Sequence, residues 1–340
     1  MWKKSAVRGV SLASAVCLAG ALGISTPARA NLIITPTFDT SIINDSNATT
    51  IEAGINAAIG RLESFVLNNV SVTITFQETS SGLGGSSTAY YTVPYTTYLS
   101  ELGTKQTLSA NDTTAIASLS PGPNNPVNGD PNIREQTALA RTLGYANYSG
   151  SDGTISLNTS IMNLSRTGTQ NPSYYDLQAV AGHEIDEVLG IGGPGSALQL
   201  TGAYSGQASP SGAVGVLDLY RYSAANTRSF TMDPSKTAYF SINGGVTPLV
   251  YFNQNGANGA DFADWGNGGT GTGDTSGNSP AQLQDAYGGP GAQVNLGTNE
   301  ITALDIIGYN VVPEPASCGL FLMMTATALI TRRRRITIEA

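Results

Sequence analysis

Histidine occurs once in this 340-residue chain, cysteine twice, and lysine plus arginine only 16 times against 24 aspartates and glutamates. Each scarcity excludes something. Both cysteines, Cys17 and Cys318, sit in apolar runs near the ends, so residues 31–313 fold without a disulfide and must rely on a sizeable core or a bound metal. Over those same residues 8 basic side chains face 22 acidic ones, a net charge of −14, and nucleic acid is therefore not an expected partner. No internal repeat of 20–50 residues is visible, which argues against a solenoid or propeller.

The two ends read as targeting segments. Lys3, Lys4 and Arg8 precede an apolar run from Val10 to Ile24, and Ala28-Arg29-Ala30 stands before Asn31. This is the pattern of a secretory signal peptide over residues 1–30, with Val16 before Cys17 arguing against a lipoprotein anchor. At the other end come Val312-Pro313-Glu314-Pro315, an apolar stretch from Ala316 to Thr331, and Arg332 to Arg335. That stretch spans roughly 24 Å as a helix, short of a ~30 Å hydrocarbon core, so it is a marginal membrane segment with a positive stop. These three parts resemble the PEP-CTERM sorting tail of bacteria, here over 313–335. The resemblance implies recognition by an exosortase-type enzyme, contact with the membrane before processing, and delivery to the cell surface or extracellular matrix.

Between the ends, hydrophobic period predicts an α+β (mixed α/β) body over 31–312, with a subdomain to about 193 and a glycine-rich, strand-rich one from about 194. Asp45 to Thr50 offers caps for an amphipathic helix running from Ile51 to Val66, and Val70–Phe76 alternates as a half-buried strand. Ser80–Ser87 reads as a turn or loop, Thr97–Gly103 as a short helix and Ser120–Asn132 as irregular. Tyr90, Tyr91, Tyr95 and Tyr98 are expected mainly in core and loop packing, with an aromatic patch for peptide or glycan as the alternative. Further on come a helix over Arg134–Leu143, an edge strand over Gly153–Asn158 and a helix over Tyr175–Leu189 stopped by Gly190, Gly192 and Gly193. Strands are expected at Val214–Tyr222, Ala238–Ile242 and Pro248–Phe252, a loop over 253–280, and a last helix from Glu300 to Gly308.

The one histidine, His183, lies in Ala181-Gly182-His183-Glu184-Ile185-Asp186-Glu187-Val188-Leu189-Gly190. Zinc peptidases place two histidines at i and i+4 on a helix, with a glutamate beside the first as general base. Here Glu187 takes the second position. At roughly 100° per residue, His183 and Glu187 stand about 40° apart and one turn apart, with Glu184 on the flank. A carboxylate oxygen binds zinc at about 2.0–2.2 Å, so two ligands and a neighbouring base are in place and a third ligand must come from elsewhere. The bland alternative is a His–Glu surface pair on a helix, which contributes a few tenths of a kcal/mol at about that spacing. The oxygen-rich run Asn255–Asp274 lacks EF-hand spacing and reads as a solvated loop. Ser196 lacks the setting of a nucleophile elbow.

Three residues past Gly190, metzincins carry their third histidine, and this chain has Gly193, which cannot bind a metal. Farther along, Leu217-Asp218-Leu219-Tyr220-Arg221-Tyr222, Tyr239 to Gly245, Phe252-Asn253, Asp261 to Trp265 and Leu304 to Tyr309 occur in an order that resembles a family of PEP-CTERM-associated metalloproteases. Its members have a full His-Glu-x-x-His helix and Ser-His-Trp where this chain has Ala263-Asp264-Trp265. The resemblance implies a metzincin-like fold, hydrolysis of peptide bonds in a peptide or protein substrate, and a metal held by His183, Glu187 and Asp264 with Glu184 as base. The metal implied is Zn²⁺. Two carboxylates with one imidazole also predict a weaker Lewis acid and a harder preference, toward Mn²⁺ or Ca²⁺. The methionine turn of metzincins is absent; Leu217–Tyr222 is its positional substitute, with Tyr220 or Tyr222 available to donate to an oxyanion. The alternative is a catalytically inactive surface or matrix protein built on the same scaffold.

Overall fold

Two short segments of alternating burial, Ile33–Phe38 (β1) and Ser71–Glu78 (β2), pair in parallel from Ile33↔Ser71 to Phe38↔Phe76. The computed structural model describes residues 32–105, 107–145, 147–193, 214–229, 235–255, 260–267 and 277–312. The signal and sorting segments and Ser196 lie outside them, as does much of Asn255–Asp274. A parallel pair needs a crossover, supplied by a single turn at Thr40–Ile43 (α1) and the expected amphipathic helix at Ala48–Phe65 (α2). Gly84–Thr88 (β3), Tyr90–Pro94 (β4), Tyr95–Thr104 (α3), Ala110–Ser118 (α4), Asn132–Gln136 (β5), Thr137–Leu143 (α5) and Gly153–Leu157 (β6) follow. The first sheet has the order β1-β2-β6-β3, with β6 parallel to β2 and β3 antiparallel to β6.

Three expectations are corrected here. The Gly/Ser run bends only over Ser80–Leu83 and from Gly84 onward is the edge strand β3, and Gly153–Leu157, expected at the edge, lies inside the sheet between β2 and β3. Small residues on β3 and at the start of β6 let a helix lie close: an added Cβ would come within 2.5 Å of Glu184 Oε1 at Gly84 and within 2.6 Å of Val188 Cγ2 at Gly153. Helix does not begin at Arg134 either. Asn132–Gln136 is a strand paired antiparallel with β4, burying Ile133 and Glu135 on its inner face, and α5 starts at Thr137.

After a 3₁₀ turn at Thr159–Ile161, Met162–Asn163 (β7) and Tyr175–Asp176 (β8) form a two-stranded ribbon leading into Leu177–Leu189 (α6). This helix packs across α2 where Gly54 allows it, since a Cβ there would meet Leu177 Cδ2 at 2.7 Å. The strand-rich half comprises Val214–Gly215 (β9), Arg221–Ala224 (β10), Thr227–Arg228 (β11), Tyr239–Phe240 (β12), Val250–Phe252 (β13), Trp265–Gly266 (β14) and the closing helix Thr298–Ile307 (α7). The strand expected over Val214–Tyr222 is interrupted: Val216–Tyr220 coils into a 3₁₀ turn, with the Asp218 carboxylate accepting the Gly215 N–H at 3.0 Å. Strands β10 to β14 form an antiparallel sheet in the order β11-β10-β12-β13-β14, and β9 joins β5 in parallel. One apolar core runs through both halves, from Leu32 and Phe76 to Phe240 and Tyr309. Among the described residues no helix is long and apolar enough to cross a membrane; the segment 316–331 lies outside them.

Candidate metal centre

Helix α6 brings three functional side chains to one place. Its apolar positions, Leu177, Ala181, Ile185, Val188 and Leu189, are buried. Asp176 caps its start, accepting the Ala179 N–H at 3.2 Å while its carboxylate is ion-paired with Arg166. Gly190, at φ 117°, closes its end in a conformation that a side chain would resist. With the helix fixed at both ends, His183 and Glu187 present Nε2 and Oε1 3.4 Å apart.

Asp264 comes from the other half and is positioned by its main chain. Its carbonyl accepts the Asn253 N–H at 2.8 Å, and the N–H of the next residue, Trp265, donates to Gln284 O at 2.8 Å. The Trp265 ring is fully buried, stacked on Phe240 and tilted against Phe252, with its indole N–H donating to Glu300 Oε1 at 3.0 Å. Thus anchored, Asp264 directs Oδ2 to within 3.5 Å of His183 Nε2. His183, Glu187 and Asp264 each offer one ligand atom, all within 4.8 Å of one another, and could together hold a metal ion. Tetrahedral ligands at roughly 2.1 Å from a cation stand about 3.4 Å from each other, which the two separations from His183, 3.4 and 3.5 Å, match.

The imidazole is oriented by a carbonyl. His183 Nδ1 lies 3.0 Å from Leu283 O, which can only accept, so Nδ1 carries a proton and Nε2 is the nitrogen that faces the carboxylates and would turn its lone pair to a cation held there. Gly193, where the metzincin pattern has its third histidine, cannot carry any side chain here: its φ is +41° and a Cβ would overlap the Glu187 carboxylate. Its N–H instead donates to Asp264 Oδ1 at 2.8 Å.

Glu184 lies beside the ligands, nearly buried, with Oε2 lacking any hydrogen-bond partner. Burial, and then repulsion from Glu187, push its pKa well above the usual carboxylate range. Glu187 is raised by burial too, although its hydrogen bond with His183 pulls the other way. Burial disfavours charge on His183, but Asp264 and Glu187 outweigh it and its pKa rises well above the ordinary value. Asp261 is pushed up to about 7 by burial and by Asp264. Several buried acids around a single imidazole make a field that a divalent cation would relieve.

These groups line a cleft of about 550 Å³ whose walls include Leu83, Val180, Leu283 and Tyr287. The tyrosines expected to serve an oxyanion are not there. Tyr220 is buried and donates to Ile306 O at 3.3 Å, and Tyr222 packs under Arg228; neither lines the cleft. Of the four clustered tyrosines, Tyr95 and Tyr98 are fully buried, Tyr91 meets Tyr145 and Tyr148 edge-on, and Tyr90 is exposed with Arg134 over its ring. Sequence reasoning missed two residues of the site. Ser86 donates to Glu187 Oε2 at 2.5 Å, and Gln284, fully buried, donates through Nε2 to Asp264 Oδ1 at 2.9 Å. For Ser86 the period-two spacing of Gly84, Ser86 and Thr88 was a usable signal; Gln284 has none. No family model matches the chain, and neither a curated protein nor a solved structure matches it.

Proposed function

We propose that this chain is an exported, metal-dependent peptidase of metzincin-like architecture, with Zn²⁺ as its metal, sorted by an exosortase-type enzyme through its C-terminal segment to the cell surface or matrix. One observation carries the reading: His183 and Glu187 from α6 and Asp264 from the strand-rich half converge within 4.8 Å at the floor of a cleft, with Glu184 beside them. A helix-surface ion pair has no need of a third ligand from a distant segment, a carbonyl fixing the imidazole tautomer, or a cleft above it. A divalent cation bound there supplies Lewis acidity and makes water a stronger acid.

The chain's own residues account for the rest. Glu184 Oε2, buried and without a partner, accepts the proton of the attacking water and returns it to the leaving amine. Strand β3 ends the first sheet, and Gly82, Leu83, Gly84 and Gly85 line the cleft, so an extended peptide can pair with this edge and lie across the site. Among the described residues the lining contains no lysine or arginine to hold a terminal carboxylate, which favours cleavage within a chain over removal of its last residue.

The test is metal content by plasma mass spectrometry beside peptidase assays. The wild-type protein is expected to carry about one equivalent of metal and to cleave peptides; His183→Ala and Asp264→Ala lose both. Glu184→Gln keeps the metal while its turnover drops about 10²–10⁴-fold, the usual contribution of a general base. Wild-type protein without metal would overturn the reading, and metal without turnover would leave a metal-bearing surface protein in its place.

A further inference from the structure

The two carboxylates of the centre are engaged in the same manner. Glu187 turns Oε1 toward His183 and gives its other oxygen, Oε2, to the Ser86 hydroxyl at 2.5 Å. Asp264 turns Oδ2 toward His183 and gives Oδ1 to two donors, the Gly193 N–H at 2.8 Å and Gln284 Nε2 at 2.9 Å. Both inner oxygens stand at similar distances from the same imidazole nitrogen, 3.4 and 3.5 Å. Asp264 Oδ1, accepting two N–H bonds, has its lone-pair directions occupied, and Glu187 Oε2, accepting one short hydroxyl bond, has one of its two taken, so each is a poorer metal ligand than the other oxygen of its carboxylate.

We infer that Ser86, Gln284 and the Gly193 amide restrict Glu187 and Asp264 to one oxygen each, so that the centre selects a small cation of low coordination number, of the Zn²⁺ or Co²⁺ class, over Ca²⁺ or Mn²⁺. The inference rests on the metal centre proposed above and deepens it. Calcium reaches six to eight oxygens largely through carboxylates that bind with both atoms, whereas a catalytic zinc takes three one-atom ligands and an open position. Ligand composition alone, two carboxylates and one imidazole, shifts the centre toward harder ions relative to an imidazole-rich one. The hydrogen bonds outside the ligands oppose that shift.

The donors are held too firmly to yield. Ser86 is paired with Ile155 inside the sheet register of β3 and β6. Gln284 is fully buried, its carbonyl accepts the Trp265 N–H at 2.8 Å, and its own N–H donates to Glu300 Oε1 at 3.2 Å. Gly192 makes room for the amide, because a Cβ there would overlap Gln284 Nε2. The same Nε2 is 3.3 Å from His183 Nε2, at the long end for a hydrogen bond, so it would compete only weakly with a cation for that nitrogen. Ser86 and Gln284 are thus positioning residues, acting through Glu187 and Asp264.

The experiment equilibrates the wild-type protein, Ser86→Ala, Gln284→Leu and Ser86→Thr with Zn²⁺, Co²⁺, Mn²⁺ and Ca²⁺ in competition. It reads bound metal by mass spectrometry and the visible spectrum of the Co²⁺ form, with far-UV circular dichroism confirming that each variant is folded. Wild type should take Zn²⁺ and Co²⁺ ahead of the harder ions and show the intense visible bands of four- or five-coordinate cobalt. Ser86→Ala and Gln284→Leu should lose about 10–100-fold in Zn²⁺ affinity, the range seen when outer-shell partners are removed. They should also bind relatively more Mn²⁺ and Ca²⁺ and show weakened cobalt bands, while Ser86→Thr, which keeps the hydroxyl, restores the wild-type pattern. Folded variants that keep the wild-type metal ratio and spectrum would overturn the positioning role and leave the metal centre standing. A wild type that prefers Ca²⁺ or Mn²⁺ would overturn the selectivity, and one that binds none of the four would overturn both readings.

Discussion

Gly193 contributes to the site through the absence of a side chain. Its amide holds Asp264 Oδ1 at 2.8 Å, its φ is +41°, and a Cβ would intrude on Glu187. Gly193→Ala should therefore displace a ligand and strain the backbone together. We expect it to lose metal affinity by about tenfold or more, comparable to removal of an outer-shell partner, and to lower the urea midpoint; titration with Zn²⁺ and equilibrium unfolding check the two. At this scale the sequence is legible where residues share a helix face. His183, Glu184 and Glu187 can be placed together from the 3.6-residue period alone. Asp264 is legible only through the ordered resemblance of the downstream segments. Ser86 meets Glu187 101 residues away and Gln284 meets Asp264 20 residues away, and no local period encodes either hydrogen bond.

Among the elements, β3 and α6 decide whether the cleft has its shape. Glycine and serine usually signal a turn, as Ser80–Leu83 makes; Gly84–Ser87 instead form a strand, against which the helix lies too near for a larger residue at Gly84. A Cβ at Gly84 would stand 2.5 Å from Glu184 Oε1 and 2.8 Å from Val180 Cγ1. Gly84→Ala is expected to press directly on the proposed base, costing about 1–3 kcal/mol as an overpacked contact and slowing turnover while metal content holds. Unfolding curves and metal analysis of the same sample measure both. Helices α2, α6 and α7 were legible from their apolar period, with Gly190 and Gly308 closing the latter two. Strand β5 was not, since Ile133 to Gln136 has residues that suit a helix and becomes a strand only through its pairing with β4.

In the molecule as a whole, the two halves share a core and a sheet, and acids are buried throughout it. Glu135, on the strand that joins both halves, has neither carboxylate oxygen hydrogen-bonded, and burial, with Glu101 adding to it, pushes its pKa from 4.5 to about 8. The folded protein therefore holds a proton there that the unfolded chain releases between those two values. Its contribution to stability is complete below pH 4.5 and is lost as the pH rises through about 8. Urea midpoints should fall from pH 5 to pH 8.5, and Glu135→Gln, which mimics the protonated side chain, should flatten that slope; an unchanged slope would remove Glu135 as its source. Glu184 and Asp186, also raised by burial, act with the same sign, so the slope should shrink without vanishing. The lone histidine has a different use at this scale. With one imidazole in the chain, fixed at Nδ1 by Leu283 O, a protein labelled with ¹⁵N only at histidine would give the ring signals of a single residue at the centre of the cleft. Its tautomer, its ligation and the arrival of a peptide could each be followed in that spectrum without assigning any other resonance.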